Sequence, residues 1–291
     1  MLRPPWSAWQ PEHGPEARAT RHAERMQDPD PRPLAGRVAL VTGATRRIAI
    51  GAAVARRLAA DGADVVLHDW AEHDRERTYV RPDPDGADAL AEELRGRGAA
   101  VLRLSSDLVD AAAPAAIVDA AHERFGRLDV VVAAHARSDR QPLEALTADE
   151  LDRAFAVNTR STLLLVQAFA ARHDDALPGG RVVVFTSGQY HGAMPEELPY
   201  IASKAALHEL TPSLAVHLMP RGITVNCIDP GPNDTGWADE ATTAAVLPRM
   251  PGGRWSRPQD AASLVAWLVS DEADWVTGQT IASDGGWSAV G

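Results

Sequence analysis

The chain has 291 residues, is 45% hydrophobic, and carries 40 Asp and Glu against 29 Lys and Arg, for a formal net charge of -11. That apolar content suffices for a packed core, and the acidic balance argues against nonspecific binding to nucleic acid. No apolar run reaches the roughly 18 residues that a membrane-crossing helix needs, and the one cysteine, Cys227, can form no internal disulfide.

Residues 1–33 hold charges and prolines but no apolar stretch of the kind a secretory signal requires, and read as a flexible extension with Met26 as an alternative start. The folded domain is placed at 34–291, and the cytoplasm is the default compartment. From residue 37, short β-branched runs alternate with longer Ala/Leu/Arg stretches of helical period. The runs are RVALVT (37–42), DVVLHD (64–69), AVLRL (100–104), LDVVVAA (128–134), RVVVFTS (181–187), ITVNCID (223–229) and GQTIAS (278–283). Being apolar nearly throughout, they fit strands buried on both faces of a parallel sheet. The pattern predicts an α/β fold: a single-domain, Rossmann-type, doubly wound parallel sheet of about seven strands flanked by helices. Residues 70–86, charged and proline-bearing, read as a surface loop. Thr147 and Glu150 have the spacing of a capping box. The stretch 146–173 is a candidate helix for packing between subunits, or one that is apolar only toward its own sheet. Cys227, in an apolar run, reads as a small core residue.

The first run leads into TGATRRIAIG (42–51), which opens a helical stretch. A glycine turn at that junction lets phosphates approach backbone N–H groups and the positive end of the helix dipole. Asp69 follows Gly51 by eighteen residues, at the end of the second run. A carboxylate there accepts hydrogen bonds from ribose hydroxyls and repels a 2′-phosphate, which favours NAD, whereas Arg46 and Arg47 suit phosphate. Asp69 tips the balance toward NAD over NADP.

Among the 29 basic residues Lys204 is the single lysine, four positions after Tyr200, in PYIASKAALHEL (199–210). A leftover lysine on an exposed helix face is one reading. The other is a site where a compact ammonium of tunable pKa serves and a fixed guanidinium does not. A separation of four puts Tyr200 and Lys204 on one helix face, and Ser187, at the end of the fifth run, can converge with them on one carbonyl. A phenol of pKa about 10 is a poor base near neutrality, and a neighbouring ammonium favours its phenolate.

These motifs resemble the short-chain dehydrogenase/reductase family over about residues 35–288. The usual TGxxxGxG is altered: the turn is two residues longer, Gly51 matches the last glycine, and Ala49 stands at the middle one. The resemblance implies a cofactor cradle of Gly43, Thr45, Arg46, Arg47, Ile50 and Gly51. It adds Asp107 and Leu108 near adenine, where Asp107 also suits a helix N-cap. Ala134 and His135 fall where the family has Asn-Asn-Ala-Gly. Pro230 and Gly231 would shape a turn beside the nicotinamide, and Thr235 would bond a phosphate. It implies Ser187, Tyr200 and Lys204 as a catalytic set, with Lys204 also on the nicotinamide ribose and Asn158 holding a water that links Lys204 to solvent. Gln189, Tyr190 and His191 would border the substrate. A mobile lid is expected at about 232–256, with Trp237, Met250 and Trp255 lining an acyl or polyketide pocket or packing in the core.

The expected protein is an NAD(P)-dependent oxidoreductase of the CH–OH group, most like the 3-oxoacyl-acyl-carrier-protein reductase branch, acting on a small-molecule ketone or alcohol. The alternatives are an enoyl reductase, whose relatives space Tyr and Lys more widely, and a noncatalytic nucleotide-sensing or scaffold homologue. A homotetramer or homodimer is implied, with no nucleic acid, membrane or metal partner.

Overall fold

The computed structural model describes residues 32–75, 83–177 and 179–290. Residues 1–31 of the predicted extension lie outside the described residues. In chain order the elements are β1 (Val38–Thr42), α1 (Ile50–Ala60), β2 (Asp64–Asp69), α2 (Ala71–Arg75), α3 (Gly86–Gly96), β3 (Val101–Ser105), α4 (Ala113–Phe125), β4 (Val130–Ala133), α5 (Ala148–Ala154), α6 (Ser161–Arg172), β5 (Arg181–Phe185), α7 (Leu198–Leu218), β6 (Thr224–Asp229), α8 (Glu240–Val246), α9 (Pro258–Val269) and β7 (Thr280–Ala282). All seven predicted strands are present. The expected surface loop after β2 instead begins with the short helix α2.

The strands form one parallel sheet in the order β3-β2-β1-β4-β5-β6-β7. The chain runs outward from β1 to β3, then crosses back to β4 and continues to the other edge. The carboxyl ends of β1 and β4 therefore part around a crevice, the place where open parallel sheets bind ligands. Alternate residues of each strand face opposite helix layers. Val41 and Val65 meet α1, α3 and α9, with Leu58, Leu90 and Val265 in the same cluster. Leu40 and Val131 meet α4, α6 and α7, with Phe169, Leu207 and Cys227. Each such large apolar side chain contributes about 1.5–3 kcal/mol by leaving water. Two filled layers fix the strand ends that carry the functional residues.

The segment 146–173 is not one helix. Between α5 and α6, Phe155–Arg160 winds as a π-helix, a form that recurs at functional sites, and it carries the fully buried Asn158. Half of the expected capping box forms: Thr147 Oγ1 accepts from Glu150 N at 3.3 Å. The other half fails because the Glu150 carboxylate is taken by Arg137, whose Nε and Nη2 donate at 2.9 and 2.6 Å.

Candidate active site

The glycine turn is built by close backbone contact. Gly43 has φ +72°, and a Cβ there would lie 2.7 Å from the carbonyl oxygen of Ala134 at the end of β4. Only glycine takes that conformation at that distance without strain. A Cβ on Gly51 would lie 2.6 Å from the Gly43 carbonyl oxygen, so α1 starts directly on the turn. Its N-cap, Ala49, offers no side-chain acceptor, and the first turn of α1 holds no acidic residue. An uncapped helix N-terminus facing a cleft fits an anionic pyrophosphate. Thr45, Arg46, Ala49 and Ile50 line that cleft. Across it lie Asp107 and Leu108 after β3, Ala134 and His135 after β4, and Pro230, Gly231 and Thr235 after β6. The donor set and the uncapped helix suit a dinucleotide.

Four expectations on this side are corrected. Arg47 points away from the cleft and binds Asp83, donating from N, Nε and Nη2 at 2.9, 3.0 and 2.9 Å. Arg46, its neighbour in the turn, lines the cleft instead. Asp69 is fully buried and does not line the cleft. It accepts from Arg103 Nε at 2.8 Å and Nη2 at 3.0 Å, and from Ser105 Oγ at 3.2 Å. The β2–β3 register sets Asp69 opposite Ser105, so Arg103, two residues back on β3, shares its face. Asp107 does not cap α4, which starts at Ala113; its Oδ1 accepts from Val109 N at 2.9 Å and shapes the turn. His135 meets the cleft, but its ring serves the interior. Nδ1 lies 2.6 Å from Thr42 Oγ1, and Nε2 lies 3.0 Å from both Val157 O and Ser161 Oγ. Burial drives its pKa down to about 3, so the ring is neutral and ties β1 to the π-helical segment.

At the other end of the cleft stand Ser187, two residues past β5, and Tyr200, in the first turn of α7. Lys204 lies one turn further on and is buried beneath them. Its Nζ donates to the carbonyl oxygens of Phe185 at 2.9 Å and His135 at 3.4 Å. Burial lowers its pKa to about 8. Thr186 Oγ1 donates to Lys204 O at 3.1 Å, stitching the Ser187 segment to the helix of Tyr200. Asn158 links the loop after β4 to α7. Its Oδ1 accepts from Arg137 N at 2.7 Å, and its Nδ2 donates to Arg137 O at 2.9 Å and Ser203 Oγ at 2.8 Å. Ser203 Oγ in turn donates to Tyr200 O at 2.8 Å.

The segment after Ser187 turns away from the cleft, which corrects three substrate assignments. Gln189 folds back: its Oε1 accepts from Ser187 N at 3.1 Å and its Nε2 donates to Thr186 Oγ1 at 2.9 Å. Tyr190 stacks on His208, with ring centroids 4.6 Å apart, and His191 Nε2 lies 3.5 Å from Asp229 Oδ2. None of the three lines the cleft. Ser138, Arg140, Met194, Glu197 and Trp237 line the cleft. Met194 and Glu197 stand just before Tyr200, and that adjacency was the available signal. Trp237 Nε1 donates to Asn233 O at 2.9 Å, and its ring meets Trp255 edge-on at 5.7 Å. Met250 is buried, so for it the core reading holds.

A family model described as enoyl-(acyl carrier protein) reductase matches residues 43–288. The chain is 37% identical over 253 residues to an uncharacterized oxidoreductase, YjdA, of Bacillus subtilis, covering 86% of this chain and 96% of that one. It is 37% identical over 263 residues to a cis-4-hydroxycyclohexanecarboxylate dehydrogenase of Sinomonas cyclohexanicum, covering 88% and 98%. A crystal structure of a short-chain dehydrogenase from Burkholderia cenocepacia in complex with NADP superposes with a TM-score of 0.76 at 36% identity, covering 88% and 99%. The chain belongs to the short-chain dehydrogenase/reductase family. It is an NAD(P)-dependent oxidoreductase acting on CH–OH groups.

Proposed function

We propose that the protein interconverts a ketone and a secondary alcohol, with Tyr200 as general acid and base. The observation that carries this reading is that Ser187 and Tyr200 line the cleft of the glycine turn, above a buried Lys204 fixed to the tip of β5. Bound there, NAD(P) supplies or takes up the hydride. Tyr200 donates a proton to the substrate oxygen in reduction and accepts one in oxidation, while Ser187 hydrogen-bonds the same oxygen. Lys204 lies one helical turn below, and its ammonium favours the phenolate. Asn158 holds the Tyr200 backbone in place through Ser203. On the cofactor side, Gly43, Thr45, Arg46 and Ile50 are proposed to hold the pyrophosphate, Asp107 and Leu108 the adenine, and Pro230, Gly231 and Thr235 the nicotinamide half. The segment 232–256, with α8, is proposed as the lid.

For the substrate, a 3-oxoacyl or polyketide-like ketone is supported by the apolar Met194 and Trp237 in the lining. A second reading, a ring alcohol bearing a carboxylate, is favoured by Arg140 on the same rim and by the likeness to the cyclohexanecarboxylate dehydrogenase. The test is loss or gain of reduced-nicotinamide absorbance with 3-oxoacyl thioesters, 4-oxocyclohexanecarboxylate, cyclohexanone and an enoyl thioester. Turnover of a ketone that disappears in Tyr200→Phe supports the reading. Turnover of the enoyl thioester alone would replace it with an enoyl reductase, and cofactor binding without any turnover would favour a sensing role.

A homotetramer or homodimer is supported by the half-exposed Phe155 beside Leu163 and Leu164, and by Trp275, 86% exposed next to the edge strand β7. A monomeric mass in solution would remove this part. The cytoplasm is supported by the single buried, unbridged Cys227.

A further inference from the structure

Resting on the reading of the cleft as a dinucleotide site, we propose that Asp74, and not Asp69, is the carboxylate that selects the adenosine ribose, with Arg46 held in check beside it. Asp69 is removed from the choice by Arg103 and Ser105, which occupy both of its oxygens inside the β2–β3 pair. Among the described residues directly after β2, the acidic ones that line the cleft are Glu72 and Asp74. Glu72 is 53% exposed and already ion-paired with Arg75. Asp74 is different. Its side chain is only 15% exposed, and Arg46 Nε stands 3.4 Å from its Oδ2. That oxygen is buried and takes no hydrogen bond among the described residues.

Arg46 comes from the lengthened glycine turn and is itself committed twice. Besides the contact with Asp74, its Nη1 donates to Thr235 O at 2.5 Å, so the guanidinium spans the cleft from the turn to the segment after β6. A ribose carrying a free 2′-hydroxyl brings a donor to a carboxylate whose Oδ2 faces Arg46 Nε at 3.4 Å without a hydrogen bond. A 2′-phosphate brings two negative charges toward the same carboxylate and must first detach Arg46 from it. The arrangement selects NAD, and it does so through a neighbour pair in which removing the acid releases a phosphate-binding arginine.

The experiment is direct titration of reduced-nicotinamide fluorescence with NADH and with NADPH, which needs no substrate. Wild-type protein is expected to bind NADH at least about tenfold more tightly than NADPH, the worth of one charge-assisted contact. Asp74→Asn is expected to tighten NADPH about tenfold and weaken NADH about threefold, and adding Arg46→Ala to it should abolish the NADPH gain. Asp69→Asn should leave the ratio within about twofold; should it not fold, Ser105→Ala, which loosens Asp69 without adding volume, takes its place. A wild type that prefers NADPH would overturn the proposal, as would a ratio that moves with Asp69→Asn and stays fixed with Asp74→Asn. Binding of neither dinucleotide would instead overturn the reading of the cleft as a whole.

Discussion

Lys204 donates from Nζ to the carbonyl oxygen of Phe185 at 2.9 Å, and so ties the helix that carries Tyr200 to the strand tip that carries Ser187. The lysine is therefore both a charge and a fastener, on a side chain that is buried. Lys204→Arg should overpack the site, lowering stability by about 1–3 kcal/mol by urea unfolding and abolishing turnover.

Lys204→Met tests the charge by itself. The folded-state pKa of about 8 lies below the ordinary lysine value of 10.5. Between those values the unfolded chain binds more protons, so the burial penalty is full below pH 8 and fades as the pH rises toward 10.5. Wild-type stability, measured against Lys204→Met, should rise across that window by up to about 3 kcal/mol. A difference between the two proteins that is flat with pH would contradict the buried ammonium.

Tyr200→Phe removes the proton donor without removing the ring. Turnover should fall by about 10²–10⁴ while NADH affinity, read by fluorescence, stays the same.

Asn158→Ala should be as much a folding variant as a catalytic one. Three hydrogen bonds of a fully buried side chain are lost, two of them holding the loop after β4 and one holding Ser203 under Tyr200. A loss of about 2–4 kcal/mol in denaturant unfolding is expected, alongside lower activity. An unchanged midpoint with lost activity would assign Asn158 to chemistry instead.

Acid should unfold the protein through two histidines. His68 is held neutral by burial, with its pKa down to about 4, and His135 likewise, down to about 3. Their stability contribution is complete above pH 6.5 and is lost as the pH falls from there toward 4 and 3, because the unfolded chain takes up the protons first. Near pH 5 each should already cost about 2 kcal/mol relative to neutrality. Replacing His135 with Gln, measured over pH 5–7.5, should remove about half of that dependence and leave the part due to His68.

Much of the site was legible because it is written locally. Tyr200 and Lys204 share a helix face by a spacing of four, Ser187 ends an apolar run, and Gly43 precedes a helix; each is a relation within a few residues or at the end of one strand. The assignments that failed depended on distant partners or on the exit direction of a loop. Asp69 has the right place at the end of β2, but Arg103, 34 residues away, claims it across the β2–β3 pair. Gln189, Tyr190 and His191 are adjacent to Ser187 in sequence, yet a turn closed by Gln189 on Thr186 carries them off the cleft.

The amino-acid sequence by itself determined the alternation of strands and helices, the parallel sheet, the glycine turn and the Ser187–Tyr200–Lys204 set, since hydrophobic period and short spacings survive in any chain that folds. The tertiary structure alone decided which charges face the cleft. Arg46 turns in and Arg47 out, Asp69 is paired with Arg103 and Asp74 with Arg46, because side-chain direction at a strand end is set by the neighbouring strand's register and by packing, and no local pattern encodes either.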